Sequence, residues 1–349
     1  MVIRGFHTEL EAVYEEYNIG LSSDWRKVYA ALFAKLFPTH PYGTQTTIGL
    51  GEHLKNPSIT NIKNYFNKYY VPNNIAICLS GDLDPDKTVA SIEKYFGNWK
   101  PSAHIDVPQF PAQPALTAPV DTTVVGKEAP MLFMGWRADA SKSLQLDTLE
   151  VIAQLLSNGQ AGLFDLDLSQ KLKVQEIEAG VTDMDEYSVF YVYGQPKSGQ
   201  TLQEVRSLAL SEIEKLKKGN FSDDLLPSIV NNYKRYYYTQ LDNNQFRAKQ
   251  YVDAFINHKD WKQEVDKLNR ISKLTKAEIV KFANQFFRND FACVYKEQGN
   301  DTTIKKVEKP TITPIPTNND KQSDFLKEIV NTKTTPILII IYEIERKVI

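Results

Sequence analysis

Residues 62–78, IKNYFNKYYVPNNIAIC, and residues 279–294, IVKFANQFFRNDFACV, are one pattern written twice. Ile62 matches Ile279, Tyr65 matches Phe282, Asn67 matches Asn284, and Tyr69-Tyr70 matches Phe286-Phe287. After a one-residue gap, Asn73 matches Asn289 and Ala76 matches Ala292. Each copy reads as an aromatic-rich amphipathic helix, a sharp Asn turn and a short apolar strand. Two copies do not make a solenoid. They predict an α+β chain with two domains of one fold, each an antiparallel sheet packed with helices. The first copy has too little chain around it for a full domain, so the first domain is expected to lack its opening half.

Working outward, residues 6–37 read as helix, interrupted at Asn18-Ile19-Gly20. A loop rich in Gly, Pro and Thr follows, FPTHPYGTQTTIGLGEHLKNPS. Ser58 caps a helix to about Tyr70, NNIAICLSGDLD is a strand ending in a turn, and Asp84 caps the next helix. Five prolines between 101 and 119 mark a linker. The boundaries expected are therefore 1–100 for the first domain, 101–120 for the linker, 121–300 for the second domain and 301–349 for a polar, proline-bearing tail. The second domain reads as strands at TTVVGKE and PMLFMGWRA, helices near 143–157 and up to 172, and strands at QEIEAGVTDMD and YSVFYVYGQP. Helices near 201–218, 222–256 and 260–270 follow, and then the second copy. The ending ILIIIYEIERKVI fits nothing before it.

Composition sets outer limits. Forty-one basic against 43 acidic residues give a net charge of -2, which predicts no nucleic-acid footprint and no pull to anionic membranes. The start, MVIRGFHTEL, has no signal-peptide core, and no stretch approaches a membrane helix. The two cysteines, Cys78 and Cys293, read as small apolar core residues.

The stretch ELEAVYEE, residues 9–16, crowds four carboxylates into eight positions. Glu9 and Glu16 are two helical turns apart and share a face, while Glu11 and Glu15 share another. Like charges so placed repel, so the spacing fits either a solvated face or one that once held a cation. Histidine spacing supplies no companion. None of His7, His40, His53, His104 and His258 lies four residues from another, as a helical zinc pair would require. His53 reads as an exposed loop residue, His40 as part of a turn, and His104 and His258 as surface positions. No phosphate loop, nucleophile elbow or Cys/His pair is present.

The ordered series ELEAVYEE, LFPTHPYG, TIG, YFNKYYVPNNIAICLSGDLD and IEKYFGNW, across residues 9–99, resembles the pitrilysin (M16) family of zinc metallopeptidases. That family includes insulin-degrading enzymes and mitochondrial processing peptidases. The later block resembles its second, non-catalytic domain. In the family an inverted His-x-x-Glu-His motif supplies two zinc ligands and the general base, and a glutamate further along the chain is the third ligand. The resemblance, with Ala12-Val13 in register, implies that Glu16 is that distal ligand and Glu9 the carboxylate supporting it. Glu15 is the second choice. The inverted motif is absent from this chain. The resemblance therefore implies zinc-dependent peptide hydrolysis in a longer protein, with peptide substrate engaged through a half not found here. This chain is expected to be an inactive fragment, truncated at both ends, that does not hold zinc stably. The alternative is a non-catalytic M16-like subunit that binds a peptide or partner. An exposed sheet edge in the first block is expected to favour homo-oligomers.

Overall fold

Helix α1 (Ile3–Leu21) and helix α2 (Asp24–Leu36) open the chain, and Ser23 caps the second through the Arg26 amide. The loop beyond holds two short helices, α3 (Pro41–Thr44) and α4 (Gly51–Lys55). Then come α5 (Ile59–Tyr69), capped by Ser58, and α6 (Pro85–Phe96), capped by Asp84. Both caps stand where the sequence puts them.

After the linker come β1 (Val120–Gly126), β2 (Met131–Ala138), α7 (Gln145–Leu156), β3 (Glu176–Thr182) and β4 (Ser188–Gln195). Next are α8 (Leu202–Lys217), α9 (Leu225–Gln240), α10 (Asn244–Ile256), α11 (Trp261–Ser272), α12 (Lys276–Phe286) and β5 (Phe291–Gln298). The helix expected across 222–256 is broken by a turn, and Asn243 restarts it by accepting the Phe246 amide. The stretch leading to 172 holds one π-helical turn at Asp165–Ser169. This computed structural model describes residues 3–55, 57–103, 105–308 and 321–332. His104 and the apolar ending fall outside them. Residues 12–308 form one compact unit. Residues 1–11 with 309–349 form another, which holds a short helix α13 (Asp324–Asn331) capped by Ser323.

Among the described residues there is one sheet, in the order β1-β5-β2-β4-β3. It is mixed and not purely antiparallel: β1 runs parallel to β5, while β2 pairs antiparallel with both β5 and β4. The chain between β1 and β5 includes six helices, α7 to α12, and is long enough for the crossover a parallel pair needs. Strand β2 is buried on both faces. On one face Met131, Phe133, Val189, Ala292 and Val294 pack against Val28, Leu32, Phe33, Leu36 and Phe37 of α2 and its end. On the other, Leu132, Met134, Trp136, Phe190 and Cys293 meet α7, α8, α9 and α12 in the larger core. A helix from before the linker thus roofs a sheet formed after it.

The strand expected over 73–84 does not form. Pro72–Asn74 makes a 3-10 turn, Ile75 is extended, and residues 76–80 join no ladder among the described residues. A strand exists through hydrogen bonds to a neighbour, and among the described residues none lies alongside. Cys293 is in the core as expected, but Cys78, on this unpaired segment, is only partly buried.

Candidate functional site

Three places could carry function: the glutamates of α1, the polar joints where α2 and its following loop meet the sheet, and the face of the first copy of the repeat.

Glu9, Glu15 and Glu16 are exposed on α1, and among the described residues none has an ion-pair or hydrogen-bond partner. No three His, Cys, Asp or Glu side chains among the described residues gather closely enough to hold a metal ion. Two of the histidines are engaged elsewhere. His53 Nδ1 accepts the Leu50 amide at 3.3 Å, and His258 is exposed. His40 is buried and caps α3, its Nδ1 accepting the Tyr42 amide at 3.1 Å while Nε2 faces Glu186 at 3.0 Å. The accepting Nδ1 places the proton on Nε2, which donates to the carboxylate. Both nitrogens are committed, so His40 has no lone pair left for a metal. The described residues do not fit a zinc site.

His40 does more than occupy a turn. Its ring lies edge-on to Tyr42, Phe110 and Tyr187, which joins the FPTHPYG loop to the linker and to the entry of β4. Thr39 and Gln113 exchange hydrogen bonds beside it, and Arg137 of β2 donates to the carbonyls of Leu36, Gln113 and Pro114. The Pro-x-His-Pro-Tyr sequence signals a fixed turn, but nothing in it names Glu186.

The second joint is the ion pair of Asp24 and Lys296, 2.8 Å apart with side chains 2% and 0% exposed. Asp24 also accepts the Glu128 amide at 2.7 Å, and Lys296 donates to the carbonyls of Glu128 and Ala129. Burial pushes the Asp24 carboxyl up, but Lys296 and the Glu128 amide outweigh it and the net direction is down. Gly126 permits the approach: a Cβ there would lie 1.9 Å from the Asp24 carboxylate. Sequence pattern could not pair two residues this far apart.

The third place has no polar chemistry. Helices α5 and α6 are amphipathic, yet neither buries a residue. Tyr65, Phe66, Tyr70, Ile75, Ile77, Leu79, Tyr95 and Phe96 are all exposed. In the second copy the matching residues are core: Phe287 is 4% exposed where Tyr70 is 51%, and Cys293 is 0% where Ile77 is 45%. The extended segment is anchored at its ends. Asn73 and Ser102 exchange hydrogen bonds at one end, and Arg247 Nε of α10 donates to Ser80 Oγ at 2.8 Å at the other.

Comparison with known proteins agrees with this architecture. The family described as the Peptidase M16 inactive domain matches residues 58–233. A zinc protease named PqqE from Helicobacter pylori is 24% identical over 271 residues, which are 75% of this chain and 60% of that protein. This chain therefore spans well under two thirds of that relative's length. The crystal structure of a protease from Helicobacter pylori superposes with a TM-score of 0.78 at 21% identity, covering 84% of this chain and 72% of the other. The M16 inactive domain from Pseudomonas fluorescens superposes at 0.72 with 14% identity, covering 88% and 72%. At such identities the structural likeness speaks for the fold. With the family matched across more than half of its residues, this chain belongs to the M16 peptidase family.

Proposed function

We propose that this chain is part of an M16 zinc metalloendopeptidase, with Glu16 as the distal zinc ligand and Glu9 as the carboxylate supporting it. On this reading residues 1–100 are the C-terminal half of the peptidase domain and 121–300 the second, non-catalytic domain. The observation that carries it is the contrast between the two copies of the repeat: one is enclosed in a full sheet-and-helix layer, while the other has the same pattern and leaves its apolar residues exposed among the described residues. Peptide substrate and zinc would be engaged together with the half that completes the first copy.

Zinc needs four ligands, or three and a water, and a lone exposed carboxylate is not enough. The purified chain is therefore expected to hydrolyse no peptide above a buffer control with zinc added. Zinc-dependent, chelator-sensitive turnover by the chain alone would refute this. Co-expression with a segment bearing an inverted His-x-x-Glu-His motif is the positive test. Hydrolysis should appear, and Glu16→Gln should abolish it.

A second reading is favoured by the family description, which is that of the inactive domain. The chain would then be a non-catalytic subunit that binds a peptide or a partner. In that case co-expression restores nothing, and Glu16→Gln is silent in every assay.

A further inference from the structure

Helix α9 carries Ile229, Asn232, Tyr233 and Tyr236 at positions i, i+3, i+4 and i+7, which is one stripe of a helical face. Gln154 of α7, and Asn158 and Gln160 of the turn after it, share a groove with that stripe and with Arg235. The groove holds about 430 Å³, within the range of small-molecule sites. Ile229 is 3% exposed at its floor, and Tyr236 is 59% exposed at its rim. Asn158 holds the turn in shape: its Oδ1 accepts the Gln160 and Ala161 amides at 3.0 and 2.9 Å, and its Nδ2 donates to the Gln154 carbonyl at 3.0 Å. The side chains of Gln154, Gln160, Asn232 and Tyr233 have no hydrogen-bond partner among the described residues. Burial, with Glu150 and Asp147 adding to it, pushes the Tyr233 hydroxyl up, so at neutral pH it remains an O–H donor.

We propose that this groove binds a small neutral saccharide, held by Gln154, Gln160, Asn232, Tyr233 and Tyr236. A carboxamide carries a donor and an acceptor side by side in one plane, which matches two adjacent hydroxyls of a sugar ring. A tyrosine adds an apolar ring face for the C–H side of the sugar and a hydroxyl for its polar edge. Of the eight lining residues only Arg235 is charged, which does not suit a multiply charged ligand. An extended peptide pairs with a strand edge, and none lines the groove. A helical peptide needs a row of apolar anchors, and Ile229 is a single one. The saccharide site goes beyond the metal reading and uses none of its residues.

The test is titration calorimetry and saturation-transfer NMR on the full chain with maltose, cellobiose, lactose and diacetylchitobiose. At least one of these should bind in the millimolar range. Asn232→Ala and Tyr233→Phe should each weaken that binding by about threefold to tenfold, the loss of a hydrogen bond. Tyr238→Ala, on the same helix, exposed and outside the groove, should leave it unchanged. Urea midpoints matching the parent chain show that each variant is folded, and Tyr233→Phe keeps the ring and so its packing. Three results would overturn the proposal: no saccharide bound at millimolar concentrations, binding that survives Asn232→Ala and Tyr233→Phe together, or binding lost equally in Tyr238→Ala. Capped tetra-alanine and tetraproline are the counter-probes. Binding of either with the same sensitivity to Asn232→Ala, and of no saccharide, would also overturn it and assign the groove to a peptide. None of these readouts uses zinc or hydrolysis, so a failure here leaves the metal reading standing.

Discussion

Tyr70 and Phe287 hold the same place in two copies of one pattern, yet one is half exposed and the other is core. The helices carrying them share an amphipathic design and both are well capped. The difference lies in what surrounds them. An apolar stripe states which face must be buried but not what buries it, and most of the free energy of burial comes from the partner. The strands make the point more sharply. Phe291–Gln298 is a strand because β1 and β2 lie alongside, and residues 75–80, also apolar, pair with no strand among the described residues and form none.

The largest effect expected is therefore a difference between matched substitutions. Phe287→Ala should cost about 3–5 kcal/mol, as deletion of a buried aromatic does. Tyr70→Ala should stay within about 0.5 kcal/mol, as at an open surface. Urea denaturation of both variants checks this, and equal losses would mean that the first copy is covered after all.

The ends of the two strands give the next contrast. Lys296 at the end of β5 pairs with Asp24, while its counterpart Ser80 meets Arg247 at a part-exposed position. Asp24→Asn strands a buried ammonium and should cost about 3 kcal/mol, and adding Lys296→Met should recover much of it. Ser80→Ala should cost less than about 1 kcal/mol. The Asp24 carboxyl is held below its ordinary value of 3.8, so its contribution is present above about pH 4 and is lost as pH falls. Acid titration should accordingly show a shallower loss of stability below pH 4 in Asp24→Asn than in the parent chain.

How far the sequence discloses this molecule follows the same division. Local signals were legible: Ser58 and Asp84 cap their helices through side chains, and β1 to β5 lie where apolar runs and turns place them. Pairings were not. The parallel β1–β5 edge, α2 over the sheet, and the Asp24–Lys296 and His40–Glu186 contacts join residues far apart in the chain, and no period encodes them. The strand at 73–84 was misread for the same reason, because its residues fit a strand and no strand among the described residues pairs with it. The α1 glutamates could be placed on a helix, but their bearing on a metal depended on ligands that the described residues do not bring together.

The layer that covers the second copy has a cost of its own. Glu212 of α8 is 3% exposed; Lys215 bonds Oε1 at 2.9 Å, while Oε2 has no partner. Burial pushes this carboxyl up, with Asp167 adding to the rise and Lys215 opposing it. A carboxyl raised in the fold costs stability as pH climbs above its ordinary value of 4.5, so neutral pH works against it. Glu212→Gln keeps an acceptor for Lys215 and removes the buried charge, so at pH 7 it should change stability by less than about 1 kcal/mol, towards greater stability. A loss above about 2 kcal/mol would mean that the charge is needed where it stands.

The gentlest probe of the two copies is their thiols, one in each. Burial pushes the Cys293 thiol up to about 12, and its sulfur lies in the core, so it presents neither thiolate nor access to an alkylating reagent. Cys78, on the unpaired segment, is only partly buried. Iodoacetamide at pH 8 should modify Cys78 in the native chain, with stability altered by less than about 0.5 kcal/mol, and reach Cys293 only at the rate of unfolding. Mass spectrometry of tryptic peptides over time separates the two. Comparable rates at both thiols would mean that β5 opens as readily as residues 75–80, and the contrast in burial between the two copies would then be one of average structure and not of stability.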